Sequence, residues 1–379
     1  MRQVVLVVAL AACGRSGPSH TVTVTAFAGA QPAAGATVVS HAIDGTKLDQ
    51  TTADAVGVAK IGFETGALVS VLFPGQISSL TPDIEVMTVP LTDGMTIIGP
   101  ADDPGPVTIV GGLQMKPKNI NADAFEIQLG CATFHVAQMP AVVDVGTRCM
   151  GSDENVDVLI TAMQAGTPVG YAAGRVAMVD GMAEFDPTMW ETAYTMVPSS
   201  VATPITATWQ LVVDGLPFTT PVGELPKGLM VDRVRLDAAT SSTQQTTRWY
   251  PSVPSMIALA PSDFLDTIPA TLAAGYTWTA AGVGDAVDLR ASWDVDASGS
   301  AYAVPPGTHH IQWDAILPPD ATTVGMPPVD LAPPPSATFE LRYVDGPGDG
   351  FPATEIHADT IVAPLTDGQI RVTEALGLR

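Results

Sequence analysis

The residues best spaced for chemistry form the run Asp294-Val295-Asp296-Ala297-Ser298-Gly299-Ser300. Oxygen donors stand at alternate positions and a glycine then turns the chain, which is what a calcium ion asks of a loop. Asp294, Asp296 and Ser298 are therefore the candidate metal ligands, with calcium as the ion and no other cofactor indicated. The twelfth position is Pro305, where an EF-hand needs a bidentate glutamate. An EF-hand is thus absent, and a polar hairpin turn between flanking strands is the competing reading. Asp345-Gly346-Pro347-Gly348-Asp349-Gly350 reads as a plain turn. The six histidines are scattered at positions 20, 41, 135, 309, 310 and 357. His309 and His310 are adjacent on an expected strand, so they face opposite sides and are badly placed to share an ion. No GxSxG, HExxH, P-loop or strand-following GxGxxG is present. No catalytic residue is nominated, and the chain reads as a non-enzyme.

The elements that must position these residues are strands. The 379 residues are 46% hydrophobic and 15% charged, enough to bury a core. With 35 glycines and 33 prolines, turns are frequent and long helices are not expected. Thr21 to Thr25 alternates apolar and polar residues, as a half-buried strand does. Similar segments follow at Phe125 to Leu129, Ala132 to Val136, Val156 to Met163, Ala172 to Val179, Ile205 to Val213, Val231 to Leu236, Val287 to Trp293, His309 to Ala315 and Ala337 to Val344. Asp180-Gly181 between two such runs predicts a tight hairpin turn. A short helix is expected around Pro261 to Ile268, capped by Ser262. Trp209, Trp278, Trp293 and Trp313 lie in alternating segments and are expected in the core. The excess of 39 acidic over 16 basic residues, a formal charge of -23, repels phosphate backbones, so nucleic acid is excluded as a partner.

Location is written at the N-terminus. Met1-Arg2-Gln3 is a short basic start, and Val4 to Ala12 is an apolar run too short to span a bilayer, which takes roughly 20 residues. It fits the core of a signal peptide. Leu10-Ala11-Ala12-Cys13, followed by Gly14, resembles the bacterial lipobox. The resemblance implies cleavage after residue 12, lipidation of Cys13 with palmitate-type acyl chains, and a membrane partner reached through that anchor. With Gly14 rather than Asp after the cysteine, it implies the outer membrane. Residues 13–20 read as a flexible tether. Export would place Cys131 and Cys149 where oxidation is allowed. A disulfide between them would close a loop worth ~3 kcal/mol; two buried thiols or a metal pair are the alternatives.

Residues 21–98 carry Gln31-Pro32-Ala33-Ala34-Gly35-Ala36-Thr37-Val38 and then Thr51-Thr52-Ala53-Asp54-Ala55-Val56-Gly57-Val58-Ala59-Lys60-Ile61. This order resembles the carboxypeptidase-regulatory-like, or transthyretin-type, β-sandwich. The first turn departs from the family pattern by lacking Asp or Asn, which keeps other Ig-like sandwiches in play. The resemblance implies a spacer or adhesion module with no active site.

The expected architecture is all-β: two or three antiparallel sandwiches in series behind the signal peptide. Residues 99–106 mark the first boundary. A second sandwich is expected over 105–236 with Cys131 and Cys149, and a β-rich part over 237–379. Residues 237–247 are polar and read as a boundary or exposed loop. Residues 317–335 hold seven prolines and read as a long loop, with Phe339 to Val344 returning to the same sandwich. The function expected is a non-catalytic surface or periplasmic lipoprotein acting as a structural, adhesive or assembly module. A module binding glycan, peptide or calcium, with a cell-surface protein or glycan as partner, is the alternative, and a divergent surface hydrolase stands behind both.

Overall fold

The computed structural model describes residues 20–73, 83–99, 108–130, 132–150, 153–213, 216–265, 269–272, 275–280, 284–297, 307–328, 337–345, 351, 355–357 and 370–378. Among them the chain is built from strands, with two 3-10 turns and no α-helix. No helix among them is long and apolar enough to cross a membrane.

The N-terminal block has eight strands: β1 (His20–Ala28), β2 (Gln31–Pro32), β3 (Thr37–His41), β4 (Lys47–Thr52), β5 (Val58–Phe63), β6 (Leu68–Phe73), β7 (Asp83–Pro90) and β8 (Met95–Gly99). β1 is a central strand. It pairs antiparallel with β5 over His20 to Thr25 and parallel with β8 over Val24 to Ala28. β4, β3, β6 and β7 form the facing ladder. Val24, Ala26, Val38, Val69, Val71, Met87 and Ile97 fill the space between the two sheets. Gly57 sits at φ +79, where an added Cβ would meet the Ala26 carbonyl oxygen at 2.3 Å. Only glycine closes that turn.

β3 and β6 are buried at every position. A strand with one wet face would alternate; a continuous apolar run marks a strand covered on both sides. The second cover is a small sheet of Ala270–Leu272, Gly275–Thr277 and Thr323–Gly325. Tyr276 and Val324 of that sheet, with Trp278 just beyond it, share one apolar core with Val39, Leu68, Leu72 and Val86. The block is thus three layers deep.

The ladder also crosses the 99–106 punctuation. β7 pairs in parallel with Gly307–Leu317, which continues through Ala286–Ala297, Thr338–Asp345, Ile370–Leu378, Gln244–Tyr250, Arg233–Ser241 and Thr206–Val213 to Leu216–Thr220. This is one twelve-stranded sheet. The strands on either side of the proline-rich run both flank Ala286–Ala297; the run read as one long loop is interrupted, since Thr323–Gly325 within it is a strand of the small sheet. Residues 237–247, read as a boundary or loop, are instead hairpin: Arg233–Ser241 turns directly into Gln244–Tyr250. Its threonines favour extended backbone, and Thr246 is buried. The expected helix near residue 261 is a single 3-10 turn, Pro261–Asp263. The Asp263 carboxylate caps it by accepting from the Ala260 N–H at 2.7 Å, and Phe264 is already extended.

A second sandwich holds β9 (Ile109–Met115), β10 (Ala124–Leu129), β11 (Ala132–Val136), β12 (Ala141–Gly146), β13 (Asn155–Gln164), β14 (Thr167–Ala177) and β15 (Met182–Phe185). The sheet β11-β10-β13-β14 faces β12-β9-β15 across Leu113, Met115, Ile127, Val145, Val158 and Ile160. Asp180 and Gly181 both have positive φ and make the expected tight turn. Val179 and Met182 bond across it, after which β15 leaves to pair in parallel with β9.

Buried polar side chains cross the central sheet in one line. Trp313 Nε1 donates to Thr88 Oγ1 at 2.8 Å, Thr88 and Ser70 hydroxyls meet at 2.7 Å, and Ser70 Oγ lies 2.8 Å from His41 Nε2. His41 Nδ1 is 2.9 Å from the Ala42 carbonyl, which can only accept. That last bond fixes every proton: Nδ1 carries the hydrogen, Nε2 accepts from Ser70, Ser70 accepts from Thr88, and Thr88 accepts from Trp313. All four side chains are fully buried.

Burial lowers the His41 pKa below its ordinary 6.5, against the opposing pull of the Ala42 carbonyl and the Asp44 carboxylate. Below 6.5 the unfolded chain therefore binds a proton that the native state refuses. The stability tied to His41 is present above that pH and falls by at most ~1.4 kcal/mol per pH unit below it. His41→Gln should flatten the fall in urea-unfolding stability between about pH 7.5 and 5.5. Equal slopes in the two proteins would show that His41 does not titrate as described.

Candidate functional site

An open cleft lies at the flank of the second sandwich, with a volume of about 630 Å³, inside the range of ligand sites. One wall is the edge of β14. Tyr171 exchanges both backbone hydrogen bonds with Glu191, at 3.0 and 2.8 Å. Antiparallel ladders alternate, so the N–H and C=O of Ala173 point the same way, off β13 and into the cavity. The other wall is a strap, residues 186–190. Its two ends are held on β14 by Glu191 at Tyr171 and by the Phe185 ring over Gly174, where a Cβ would come within 2.6 Å of that ring.

Residues 116–119 hold the strap's far side. The Lys116 N–H donates to Phe185 O at 3.3 Å, the Lys118 N–H to Pro187 O at 2.9 Å and Asn119 Nδ2 to Thr188 O at 3.1 Å. Trp190 Nε1 donates back to Lys118 O at 2.7 Å. Main-chain bonds on one side and ring packing on the other make the cleft preformed, which lowers the entropy cost of binding.

Its lining is about evenly polar and apolar, with acidic corners. Tyr171, Phe185, Met189, Trp190 and Leu229 supply the walls, and Asp186 and Glu191 are the charged lining residues. Met189 is 86% exposed, a large apolar side chain held in water. Glu191 Oε1 accepts from the Ala193 N–H at 2.9 Å, and its other oxygen fits against the space left by Gly228. Lys118 stands 3.8 Å from Asp186 at the rim. Arg175, also on β14, is drawn away by Asp153 at 2.6 Å. Burial, then the nearby Tyr194 and Glu224, raise the Tyr171 pKa well above the phenol's usual value, so this floor residue stays neutral.

Charged groups also gather on the central sheet. Ala286–Ala297 alternates strictly, with Val287, Leu289, Ala291 and Trp293 in the core and Asp288 and Arg290 on the reverse face. Arg290 Nε donates to Asp314 at 2.5 Å, Gln312 Nε2 donates to the other Asp314 oxygen at 2.9 Å, and Arg342 reaches Asp288 at 3.3 Å. Asp288 and Asp314 are buried. Burial and the neighbouring Asp314 raise the Asp288 pKa to about 7 against the pull of Arg342 and Arg290. The set is a paired network inside the sheet.

The residues singled out from sequence are dispersed. Asp294 and Asp296 lie on the strand Ala286–Ala297, where Asp294 meets His310 Nδ1 at 2.9 Å and Asp296 accepts from Thr308 at 2.5 Å. Ser298 lies outside the described residues, and no cluster of three or more metal-ligating side chains occurs among those described. His309 is buried and His310 half-exposed, on opposite faces as adjacency requires. Cys13 and Cys131 lie outside the described residues; Cys149 is buried in the second core. Trp209, Trp278, Trp293 and Trp313 are buried. The cleft itself was not foreseen. Its trace in the sequence is Asp186-Pro187-Thr188-Met189-Trp190-Glu191, where large apolar residues interrupt acidic ones with no alternation.

No protein family matches the chain, and no curated protein matches its sequence.

Proposed function

We propose that the chain is a non-catalytic lipoprotein of the cell envelope, anchored through acylated Cys13, with outer membrane as its membrane, and acting as a structural, adhesive or assembly module. The observation that carries this reading is the placement of β1. The tether read over residues 13–20 ends on β1, whose His20 to Thr25 pair with β5 and whose Val24 to Ala28 pair with β8. Tension on the anchor would load the β5 ladder first, and drawing β1 out would have to break the β8 ladder as well. The carboxypeptidase-regulatory-like assignment of residues 21–98 agrees with two facing sheets, and a Cys131–Cys149 disulfide would brace the second sandwich.

Cys13→Ser, expressed in a host with lipoprotein processing, should move the protein from the membrane fraction to the soluble fraction, with the loss of acyl-chain labelling. Retention of the unlabelled variant in membranes would overturn the anchor.

A further inference from the structure

The cleft beside β14 has a second property that its shape alone does not convey: it joins an open strand edge to acidic and apolar walls. We propose that it binds an extended segment of a partner polypeptide that carries a lysine or arginine next to an apolar residue. This inference rests on the cleft and not on the lipid anchor, so either can fail without the other.

Three observations meet at the site. Ala173 turns its N–H and C=O into the cleft, the donor and acceptor that an added backbone needs. Asp186 and Glu191 are the charged groups of the lining, both negative in a chain of net charge -23; Lys118 at 3.8 Å offsets much of the Asp186 charge, so Glu191 carries most of the attraction. A cationic side chain is attracted there and an acidic one repelled. Met189, Trp190, Phe185 and Leu229 then offer a surface for an aliphatic stem or a neighbouring apolar residue. Methionine suits such a wall because its flexible thioether adapts to different shapes. The strap meets β14 again at Tyr171 and over Gly174, so only a short stretch of backbone can lie against the edge. Most of the recognition would fall on the basic and apolar side chains.

The test is fluorescence anisotropy with a labelled nonapeptide of alternating lysine and leucine, at physiological salt. A net charge this negative attracts any basic peptide, so site variants decide the matter. Asp186→Asn, whose charge Lys118 already offsets, should weaken binding about 3-fold and Glu191→Gln at least about 10-fold, whereas Glu64→Gln, an equal change of charge in the N-terminal block, should change it less than about 2-fold. Ala173→Pro removes the edge N–H at a position where a strand tolerates proline, and should weaken binding about as much as Glu191→Gln. Circular dichroism and unfolding midpoints would establish that each variant is folded. Absence of binding by the folded wild type at about 100 μM peptide, or equal losses for Glu64→Gln and the cleft variants, would overturn the proposal.

Discussion

Trp313→Ala is expected to cost about 3–5 kcal/mol, enough to unfold much of the population of a marginally stable protein. Trp313 is fully buried at the meeting of two layers, with Tyr276 at 5.7 Å between ring centres and Phe339 beyond it. The alanine would leave a cavity that a sheet bonded on both sides cannot close. It would also strip Thr88 of the donor that ends the line running to His41. Trp313→Phe separates the two effects. It keeps most of the ring volume and loses only the N–H, so it should cost about 1–2 kcal/mol. Urea midpoints with unchanged slopes would measure both. A phenylalanine variant as unstable as the alanine variant would mean that the hydrogen-bond line, and not ring packing, dominates at this position.

The same residue shows where sequence reading stops. Alternation in Ala286–Ala297 and Gly307–Leu317 was enough to put Trp293 and Trp313 in a core, because side-chain period alone decides which face is apolar. It could not say which core. Thr88 and Trp313 are 225 positions apart and meet only because β7 pairs in parallel with Gly307–Leu317. That pairing depends on the fit between two surfaces and leaves no local signature. β6 did carry a sign, since Leu68 to Phe73 fails to alternate, and the reason is the third layer laid over it by Tyr276, Trp278 and Val324. The polar run 237–247 misled in the opposite sense. Polarity marks a loop only when backbone groups lack a partner, and here Arg233–Ser241 and Gln244–Tyr250 pair with each other. The candidate cleft was hidden for a related cause. Ala173 is unremarkable as a residue type, and becomes a donor and acceptor only because Tyr171 bonds Glu191 and turns the strand's free edge toward the strap.

Two aspartates of one network should respond to substitution with opposite signs. Asp314 is buried and accepts from Arg290 and Gln312 on both its oxygens. Asp314→Ala would leave the Arg290 guanidinium, only 29% exposed, without its partner. Breaking a buried ion pair costs about 3–5 kcal/mol. Relief of the repulsion between Asp314 and Asp288 returns part of that, so the net loss is expected near the low end, about 3 kcal/mol. Asp288 is the other half of that repulsion. Its folded pKa is raised from 3.8 to about 7, first by burial and then by Asp314. A raised carboxylate pKa favours the native state at low pH, where the group is neutral, and the benefit disappears as pH rises from about 4 to about 7. Above that the fold holds a charge it would be better without. Asp288→Asn keeps an acceptor for Arg342 and removes the charge. It should therefore raise stability at pH ~8, have little effect at pH ~4, and flatten the pH dependence between them. Asp314→Ala should lower stability at both. The His41 contribution has the opposite slope over part of this range, so the comparison belongs between each variant and the parent at one pH. If Asp288→Asn destabilises at pH ~8, Arg342 needs the full carboxylate charge, and attraction rather than burial governs the pair.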